Sequence, residues 1–297
     1  PPTKLEVFEE IATKKVITKA FTSDWEGGWR YTVNCYRGCV HGCTYCFARQ
    51  YHEYLGYGAG TDFETKIVVK PNAPILLRQE LKKTRDKMPH LDFSFATDPY
   101  LPLEASYELT RKCLEVCVEF QVPVGVITKS PLITRDIDVL KKLKQVGVFF
   151  SLPFLTKEKS NPFEPYTPVP VAPVIPGYNE SDIPGLLERA KECGATRAFM
   201  SMLHLDTDSI EEYFVAKMHE RLPPTRVTKI INTIKRERGG KLRHDTYKER
   251  GVGKTEQWEM TTKLFQFHAR RLGFNQHEEN VEVALEAAAA PTQQRLF

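Results

Sequence analysis

The chain has 297 residues, of which 41% are hydrophobic, so it is long enough to bury a complete core, most simply as one large domain with a terminal extension. No unbroken apolar run approaches the length that crosses a membrane, and we therefore expect a soluble, cytoplasmic protein without a membrane partner. The net charge of +4 is modest, which excludes a uniformly basic or acidic chain and leaves local charge as the indicator of a partner.

Residues 1–30 are polar and begin with two prolines, which is typical of a leader that covers an edge of the main domain. Residues 30–33 form the first predicted strand. This strand runs directly into residues 34–49, a segment that holds four of the seven cysteines, and a helix is predicted over residues 47–55.

Three of these cysteines, Cys39, Cys43 and Cys46, have the spacing Cys-x3-Cys-x2-Cys. Gly38 and Gly42 allow the tight backbone that would bring three thiolates to one inorganic centre. A structural zinc site usually takes four ligands, and no second Cys or His pair follows downstream. A disulfide framework is disfavoured by the odd cysteine count and the length of the chain. The spacing therefore predicts a ligand loop for one inorganic centre and disfavours both structural zinc and a disulfide framework.

Beyond this loop, short β-rich runs alternate with longer helical patterns, which predicts a parallel sheet built from βα units. The six principal strands are predicted at residues 30–33, 91–96, 122–127, 148–152, 169–175 and 197–202, with a small extra strand at 67–69. The intervening helices are predicted at residues 73–85, 107–120, 136–146, 183–193 and 209–222.

One connection does not fit this pattern. Residues 153–168 contain four prolines and no helical period, whereas a crossover between parallel strands needs a dozen or more residues and usually a helix. The connection is therefore either an extended loop or a segment from which residues are missing, near Thr167 and Pro168.

The C-terminal region is basic. Residues 225–274 contain 13 Lys and Arg against 5 Asp and Glu, and helices are predicted at 225–237 and 254–272. This excess is compatible with DNA as a partner, although a solvated helical face explains it equally well. We divide the chain into a leader (1–30), a main domain (31–222), a basic helical region packed on it (223–275) and a flexible tail (276–297).

The cysteine segment also carries a resemblance to a known family. The string Tyr36-Arg37-Gly38-Cys39-x-His41-Gly42-Cys43-x-Tyr45-Cys46-x-Ala48-Arg49 resembles the cluster loop of the radical S-adenosylmethionine (SAM) superfamily, in the branch that includes spore photoproduct lyase. The resemblance implies an α/β fold, a partial (βα)6 barrel of the radical SAM type with a helical C-terminal extension. It implies a lyase-like radical SAM enzyme with two cofactors, a [4Fe-4S] cluster on Cys39, Cys43 and Cys46, and SAM. It also implies reductive cleavage of SAM to a 5′-deoxyadenosyl radical that abstracts hydrogen from a substrate, with flavodoxin or ferredoxin as electron donor.

Polar residues follow the ends of three predicted strands, where the working residues of βα barrels lie. By the same resemblance, Asp98 and its neighbour Thr97 face the methionine amino group or the ribose, and Lys129 faces the methionine carboxylate. A zwitterionic ligand needs one anionic and one cationic partner, which these residues supply. The residues assigned to SAM binding are Tyr45, Thr97, Asp98, Lys129, Ser130 and Ser151.

Other residues near the cysteines receive more ordinary interpretations. Cys113 and Cys117 lie one turn apart on a predicted helix and are expected to pack in the core. We expect Arg37, Arg49 and His52 to lie behind the cluster and screen its negative charge.

The branch resemblance implies DNA repair at a thymine lesion. Spore photoproduct lyase has a hydrogen-donor cysteine shortly before the Ser or Thr-Asp pair, and Phe95 and Ala96 stand there in this chain. Cys35 and Tyr36 are therefore the candidate catalytic hydrogen donors. We favour radical modification of another substrate over lesion repair, and a non-catalytic nucleic-acid-binding iron–sulfur or zinc protein is the alternative from a different class.

The last five residues, Gln293-Gln294-Arg295-Leu296-Phe297, resemble the short Gln-x-x-Leu-Phe peptide by which bacterial DNA-repair and replication proteins dock on the sliding clamp. Leu296 and Phe297 would enter an apolar pocket and Gln293 would bind at its rim. A sliding clamp is therefore a predicted partner, and a tail without a partner is the other interpretation.

Overall fold

The computed structural model describes residues 4–21, 29–84, 88–151, 153–167, 173–244, 246 and 249–275. Its strands are β1 (Glu6–Glu9), β2 (Ile17–Phe21), β3 (Trp29–Val33), β4 (Tyr36–Arg37), β5 (Lys66–Val69), β6 (Leu91–Phe93), β7 (Val124–Thr128) and β8 (Val146–Phe150). Its α-helices are α1 (Gln50–Glu53), α2 (Thr61–Thr65), α3 (Ala73–Thr84), α4 (Glu104–Tyr107), α5 (Leu109–Phe120), α6 (Ile137–Leu140), α7 (Lys157–Ser160), α8 (Ile183–Glu192), α9 (Asp208–Arg221), α10 (Pro224–Glu237) and α11 (Glu256–Arg271).

The larger sheet has the strand order β2-β3-β6-β7-β8. Strands β3, β6, β7 and β8 are parallel, and β2 pairs antiparallel with β3 at the edge. Parallel strands need long crossovers, and α3 and α5 supply two of them. Gly125 in β7 allows the close approach of β6, because a Cβ there would lie 2.3 Å from the Asp92 carboxylate. The predicted α/β fold is confirmed, and the carboxyl ends of the four parallel strands lie at the same edge of the sheet.

The smaller sheet has the strand order β1-β5-β4, and its strand β4 leads into the cysteine loop. Strand β5 is the predicted extra strand at residues 67–69, and it pairs parallel with β1 and antiparallel with β4. Because β4 is Tyr36–Arg37, this sheet fixes the point where the cysteine loop starts. Residues 1–30 therefore contribute an edge strand to each sheet, β1 to the smaller and β2 to the larger.

The fifth and sixth strand positions are the main difference from the predicted fold. In the described residues they are reduced to a single parallel bridge between Val174 and Met202, and residues 168–172 lie outside the described part. The connection before them contains only the four-residue helix α7. No long crossover helix covers β8 in the described residues, and its apolar side chains Val146, Val148 and Phe150 are 40%, 39% and 50% exposed. Within the described residues, four of the six predicted strands are therefore continuous, and the parallel bridge marks the fifth and sixth positions.

The basic C-terminal region is helical, as predicted. Helix α10 buries Val227, Ile230 and Ile234, and α11 lies against α8 through the buried Trp258 and Ala269. In the described part of the chain, no helix is long and apolar enough to cross a membrane. The predicted flexible tail and its clamp-binding peptide, residues 276–297, lie outside the described residues.

Candidate active site

A cavity of about 260 Å³ lies at the carboxyl ends of the parallel strands. One wall is the cysteine loop, including Cys39, Cys43 and Cys46. The opposite wall consists of residues that follow β6, β7 and β8, among them Asp98 and Lys129. The structure therefore brings together the three cysteines and the charged residues that the sequence placed at separate strand ends.

Gly38 shapes the first half of the cysteine loop. Its φ angle is +79°, and a Cβ at this position would lie 2.8 Å from the carbonyl oxygen of Lys66, so a larger residue would displace the loop. The Cys39 amide donates to the Phe63 carbonyl at 2.8 Å, and the Thr97 hydroxyl donates to the Gly38 carbonyl at 2.6 Å. These contacts fix the first cysteine against α2 and the end of β6.

Arg49 holds the second half of the loop from behind. Its side chain is fully buried, and its Nε donates to the Cys43 carbonyl at 2.8 Å. Its other nitrogens donate to the Gly60 carbonyl at 2.8 Å and to the Glu64 carboxylate at 2.5 Å. The Tyr213 hydroxyl donates to the same carboxylate at 2.6 Å. Arg49 is therefore a structural anchor of the loop as well as a nearby positive charge.

Burial disfavours the charged thiolate form of the three cysteine side chains. Burial raises the pKa of Cys39, Cys43 and Cys46, and Asp98 raises the pKa of Cys39 further. Lys129 acts in the opposite direction on Cys43. Because the thiolate is the form that binds metal, loading this site with iron would release protons from the thiols.

The three thiols are spread around the cavity. Among the described residues, no three His, Cys, Asp or Glu side chains are grouped closely enough to hold one metal ion together. In an iron–sulfur cluster each cysteine binds a different iron atom, so the three thiols do not have to reach one ion. Three thiols lining one cavity, two of them buried and that of Cys46 partly exposed, therefore match the donor set of a [4Fe-4S] cluster.

Asp98 connects the ends of β6 and β7. Its carboxylate accepts hydrogen bonds from the Tyr100 amide at 2.8 Å, from the Thr128 hydroxyl at 2.7 Å and from the Lys129 amide at 2.7 Å. The ring of His41, in the cysteine loop, lies 3.5 Å from the same carboxylate. Asp98 is thus a structural centre of the cavity wall, in addition to its predicted contact with SAM.

Lys129 lies in a buried polar network with Glu164. Its Nζ is 2.9 Å from the Ser151 hydroxyl and 2.9 Å from the Glu164 carboxylate, and burial lowers the pKa of this lysine. The Glu164 side chain is fully buried, and its Oε1 also accepts a hydrogen bond from the Tyr45 hydroxyl in the cysteine loop. Two residues predicted to bind SAM, Tyr45 and Lys129, therefore share one carboxylate, and Ser151 joins them through Lys129.

The family model of the radical SAM superfamily matches residues 33–216, which is more than half of the chain and includes the whole cysteine loop. The chain belongs to the radical SAM superfamily. The cofactors of this family are a [4Fe-4S] cluster and SAM. The residues of the three-thiol cavity fit both groups, because they include three thiols and charged side chains of both signs.

Sequence relatives lie in bacteria, archaea and viruses. An uncharacterised protein of Mycobacterium tuberculosis is 35% identical over 223 residues, which cover 67% of this chain and 65% of that protein. An uncharacterised protein of Methanocaldococcus jannaschii is 30% identical over 141 residues, covering 48% of this chain and 51% of that protein. A radical SAM Nα-GlyT isomerase of Pseudomonas phage M6 is 25% identical over 210 residues, covering 63% and 42%. The chain thus spans about 65% of the length of the mycobacterial relatives.

Solved structures support the fold. A spore photoproduct lyase variant with bound AdoMet and dinucleoside spore photoproduct superposes with a TM-score of 0.58 at 15% identity, covering 90% of this chain and 80% of that one. At this identity the match establishes the shared fold and carries no residue roles. It confirms the predicted radical SAM architecture for this superfamily member.

Ser130 lies outside the lining of the radical SAM cavity. Its hydroxyl accepts a hydrogen bond from the Leu132 amide at 3.3 Å and caps the short 3-10 helix Pro131–Asp136. Its own amide donates to the Thr128 hydroxyl at 3.0 Å. The geometry gives Ser130 a capping role, and its predicted contact with SAM stays a prediction.

Cys35 and Tyr36 also lie away from the cavity of this radical SAM chain. Cys35 is 3% exposed, and its sulfur is 3.6 Å from the sulfur of Cys113. Tyr36 is fully buried, and its hydroxyl donates to the Glu104 carboxylate. The structure places both side chains in the core, and neither of these candidate hydrogen donors lines the cavity.

Sequence reasoning did not identify His204 as a cavity residue. It lies just after Met202, at the end of the sixth strand position, and its Nδ1 is 3.1 Å from the Asp206 carboxylate. Arg250 donates to the same carboxylate at 2.8 Å and its guanidinium lies 5.1 Å from the centre of the Phe47 ring. The available signal was the polar segment after the strand predicted at residues 197–202, the same signal that indicated Asp98 and Lys129.

Proposed function

We propose that Cys39, Cys43 and Cys46 hold the [4Fe-4S] cluster of this radical SAM enzyme and that SAM binds beside it, between Asp98 and Lys129. The observation that carries the proposal is the convergence of these five side chains on one largely buried cavity. When bound, the two cofactors supply reductive cleavage of SAM to a 5′-deoxyadenosyl radical that abstracts hydrogen from a substrate. The five residues named here bind the cofactors and do not select the substrate from which hydrogen is taken.

The chain's own residues bind and shield the cofactors. Lys129 faces the cavity as a cation for the methionine carboxylate, and Ser151, at 2.9 Å from its Nζ, lies where a ribose hydroxyl could be contacted. Asp98 already accepts three hydrogen bonds, and a carboxylate can accept roughly four, so one further contact to the amino group fits. Phe47 and Phe95 contribute apolar walls that limit access of water.

Anaerobic reconstitution with iron and sulfide tests this proposal. We expect roughly four irons per chain, an electron paramagnetic resonance (EPR) signal on reduction, and formation of 5′-deoxyadenosine from SAM. Reduced flavodoxin or ferredoxin should replace dithionite as the electron source if such a protein is the partner. Stoichiometric zinc with no iron after reconstitution would contradict the proposal and favour the non-catalytic alternative.

Lesion repair in DNA is a second candidate, and the charge of α11 favours it. Lys263, Arg270 and Arg271 are exposed around Phe267, which is 63% exposed, and such a surface suits phosphate and base contacts. Part of the basic charge is neutralised within the chain, because Arg271 lies 2.5 Å from Glu188, Lys263 lies 3.9 Å from Glu259, and Arg243 pairs with Asp208 at 2.8 Å.

The cavity gives less support to the lyase reaction. In the described residues, its lining thiols are the three proposed cluster ligands, so a separate donor cysteine is lacking there. Reduced enzyme, deuterium-labelled SAM and a lesion-bearing oligonucleotide separate the candidates. Label exchange accompanied by repair would establish the lyase reaction. If neither exchange nor repair is observed, modification of another substrate is the candidate that remains.

The proposed clamp contact has its own test. A peptide covering residues 291–297 should bind a bacterial sliding clamp, and replacement of Leu296 and Phe297 by alanine should abolish the binding. Failure of the unaltered peptide to bind at high micromolar concentration would remove this partner.

A further inference from the structure

The segment that contains Glu164 is packed directly against the cysteine loop. The Thr44 amide donates to the Phe163 carbonyl at 2.9 Å, and the Tyr166 amide donates to the His41 carbonyl at 3.4 Å. A Cβ on Gly42 would lie 2.9 Å from the Tyr166 ring, so the backbone of the cysteine loop packs closely against this side chain. This proline-rich connection is therefore part of the cavity's support, although no pattern in residues 153–168 indicates such a role.

Glu164 joins the two halves of the cavity through one oxygen. Its Oε1 accepts from the Tyr45 hydroxyl, in the cysteine loop, and lies 2.9 Å from Nζ of Lys129, at the end of β7. The side chain is fully buried, whereas carboxylates are almost never fully buried unless they are paired. Burying such a charge is costly, and the ion pair with Lys129 is the compensation that the structure provides.

Lys129 has a long side chain with many rotamers, and its ammonium must be held in place to meet a carboxylate with defined geometry. Glu164 on one side and Ser151 on the other, both at 2.9 Å, restrict it to one position facing the cavity. We propose that Glu164 is a positioning residue that fixes Lys129 for the methionine carboxylate of SAM and couples it to the cysteine loop through Tyr45. This inference rests on the proposed function.

Decarboxylated SAM separates positioning from general damage to the site. It lacks only the group that Lys129 would recognise, so the ratio of its Kd to that of SAM measures recognition of the carboxylate. We expect this ratio to be about tenfold or more in the reconstituted, oxidised wild-type protein, measured by equilibrium dialysis without turnover. In Lys129→Met the ratio should fall at least as far as in any Glu164 variant, and the part that remains is the contribution of the open iron of the cluster.

The deciding variants are Glu164→Ala and Glu164→Gln. We expect Glu164→Ala to lower the ratio at least about threefold, and Glu164→Gln, which keeps a hydrogen-bond acceptor, to restore part of it. In the Lys129→Met background, Glu164→Ala should change the ratio no further, because the two residues act through the same contact. Glu158→Gln is the matched control, since Glu158 is exposed on α7 in the same segment and its loss should leave the ratio unchanged.

The outcomes distinguish this inference from the function on which it rests. If the wild type fails to load iron or to bind SAM, the proposed function is wrong. If the wild type shows the expected ratio and Glu164→Ala retains it, the positioning role is wrong while the function stands. Equal weakening of both ligands in Glu164→Ala, with the ratio unchanged, would also overturn the positioning role, because it would indicate only a structural contribution. Should Glu164→Ala fail to load iron, the ratio in Glu164→Gln decides alone.

Discussion

The chain has two groups of buried cysteines, and their surroundings differ. Cys39, Cys43 and Cys46 line a cavity that also contains Asp98 and Lys129. Cys35, Cys113 and Cys117 lie in the hydrophobic core, at 3%, 0% and 0% exposure, beside the apolar side chains of α5. Burial raises the pKa of Cys39 and of Cys117 alike, so burial does not identify a ligand. The cavity and its charged groups mark the first group as a functional site.

The largest expected effect comes from removing cavity thiols. Alanine at Cys39, Cys43 or Cys46 should reduce bound iron from roughly four per chain to nearly none and abolish 5′-deoxyadenosine formation, because each cysteine holds a separate iron. Cys35→Ala and Cys113→Ala should retain the iron content and the EPR signal of the wild type. Loss of iron in Cys35→Ala would make Cys35 a ligand and break the distinction between the two groups.

Replacing one polar side chain in the cavity wall is expected to lower the free energy of unfolding more than replacing one in the core. In the wild type the Asp98 carboxylate accepts from the Tyr100 amide, the Thr128 hydroxyl and the Lys129 amide. Asp98→Asn replaces one acceptor oxygen by an NH2 group, which cannot accept from these donors. Leaving such buried donors unsatisfied should lower the free energy of unfolding by about 3 kcal/mol and weaken SAM binding. Urea unfolding and equilibrium dialysis measure the two effects. Wild-type stability in this variant would show that Asp98 is not a structural centre of the wall.

In the core, Tyr36→Phe tests the alternative role as a hydrogen donor. The lost hydroxyl donates to Glu104, which also accepts from the Thr110 amide at 3.0 Å and pairs with Arg135 at 2.9 Å. Because these partners remain, we expect a loss of about 1–2 kcal/mol in stability. The rate of SAM cleavage per bound cluster should stay the same. A selective loss of product formation with normal stability would instead support the donor role.

The smallest effect concerns pH. Burial lowers the pKa of His52, which packs between Tyr57 and Phe63 behind the loop. An unfolded histidine has a pKa of about 6.5, so on acidification below that value the unfolded chain binds the proton first and stability falls. His52→Gln should therefore reduce the loss of unfolding free energy between about pH 7.5 and 5.5, by no more than about 1.4 kcal/mol per pH unit. An identical pH dependence in the variant would contradict a neutral, buried His52.

The sequence predicted much of this arrangement for identifiable physical reasons. The cysteine spacing and the polar residues after β6 and β7 follow from local chain geometry, and the structure brings them to one cavity. The register of separate sheets depends on distant strands, so the pairing of β5 with β1 could not be read from residues 66–69. Glu164 lies in a proline-rich connection without periodicity, and its role is visible only once Lys129 and Tyr45 are seen beside it. The isolated bridge between Val174 and Met202 likewise depends on tertiary contacts and not on the β-rich pattern.

The central claim is that three cavity cysteines hold a cluster whose remaining iron meets SAM. Mössbauer spectroscopy of the protein reconstituted with iron-57, recorded with and without SAM, tests it directly. We predict that about one quarter of the iron signal changes on addition of SAM, while the iron held by Cys39, Cys43 and Cys46 keeps its parameters. A spectrum that is unchanged by saturating SAM, or one in which all the iron responds alike, would contradict the account.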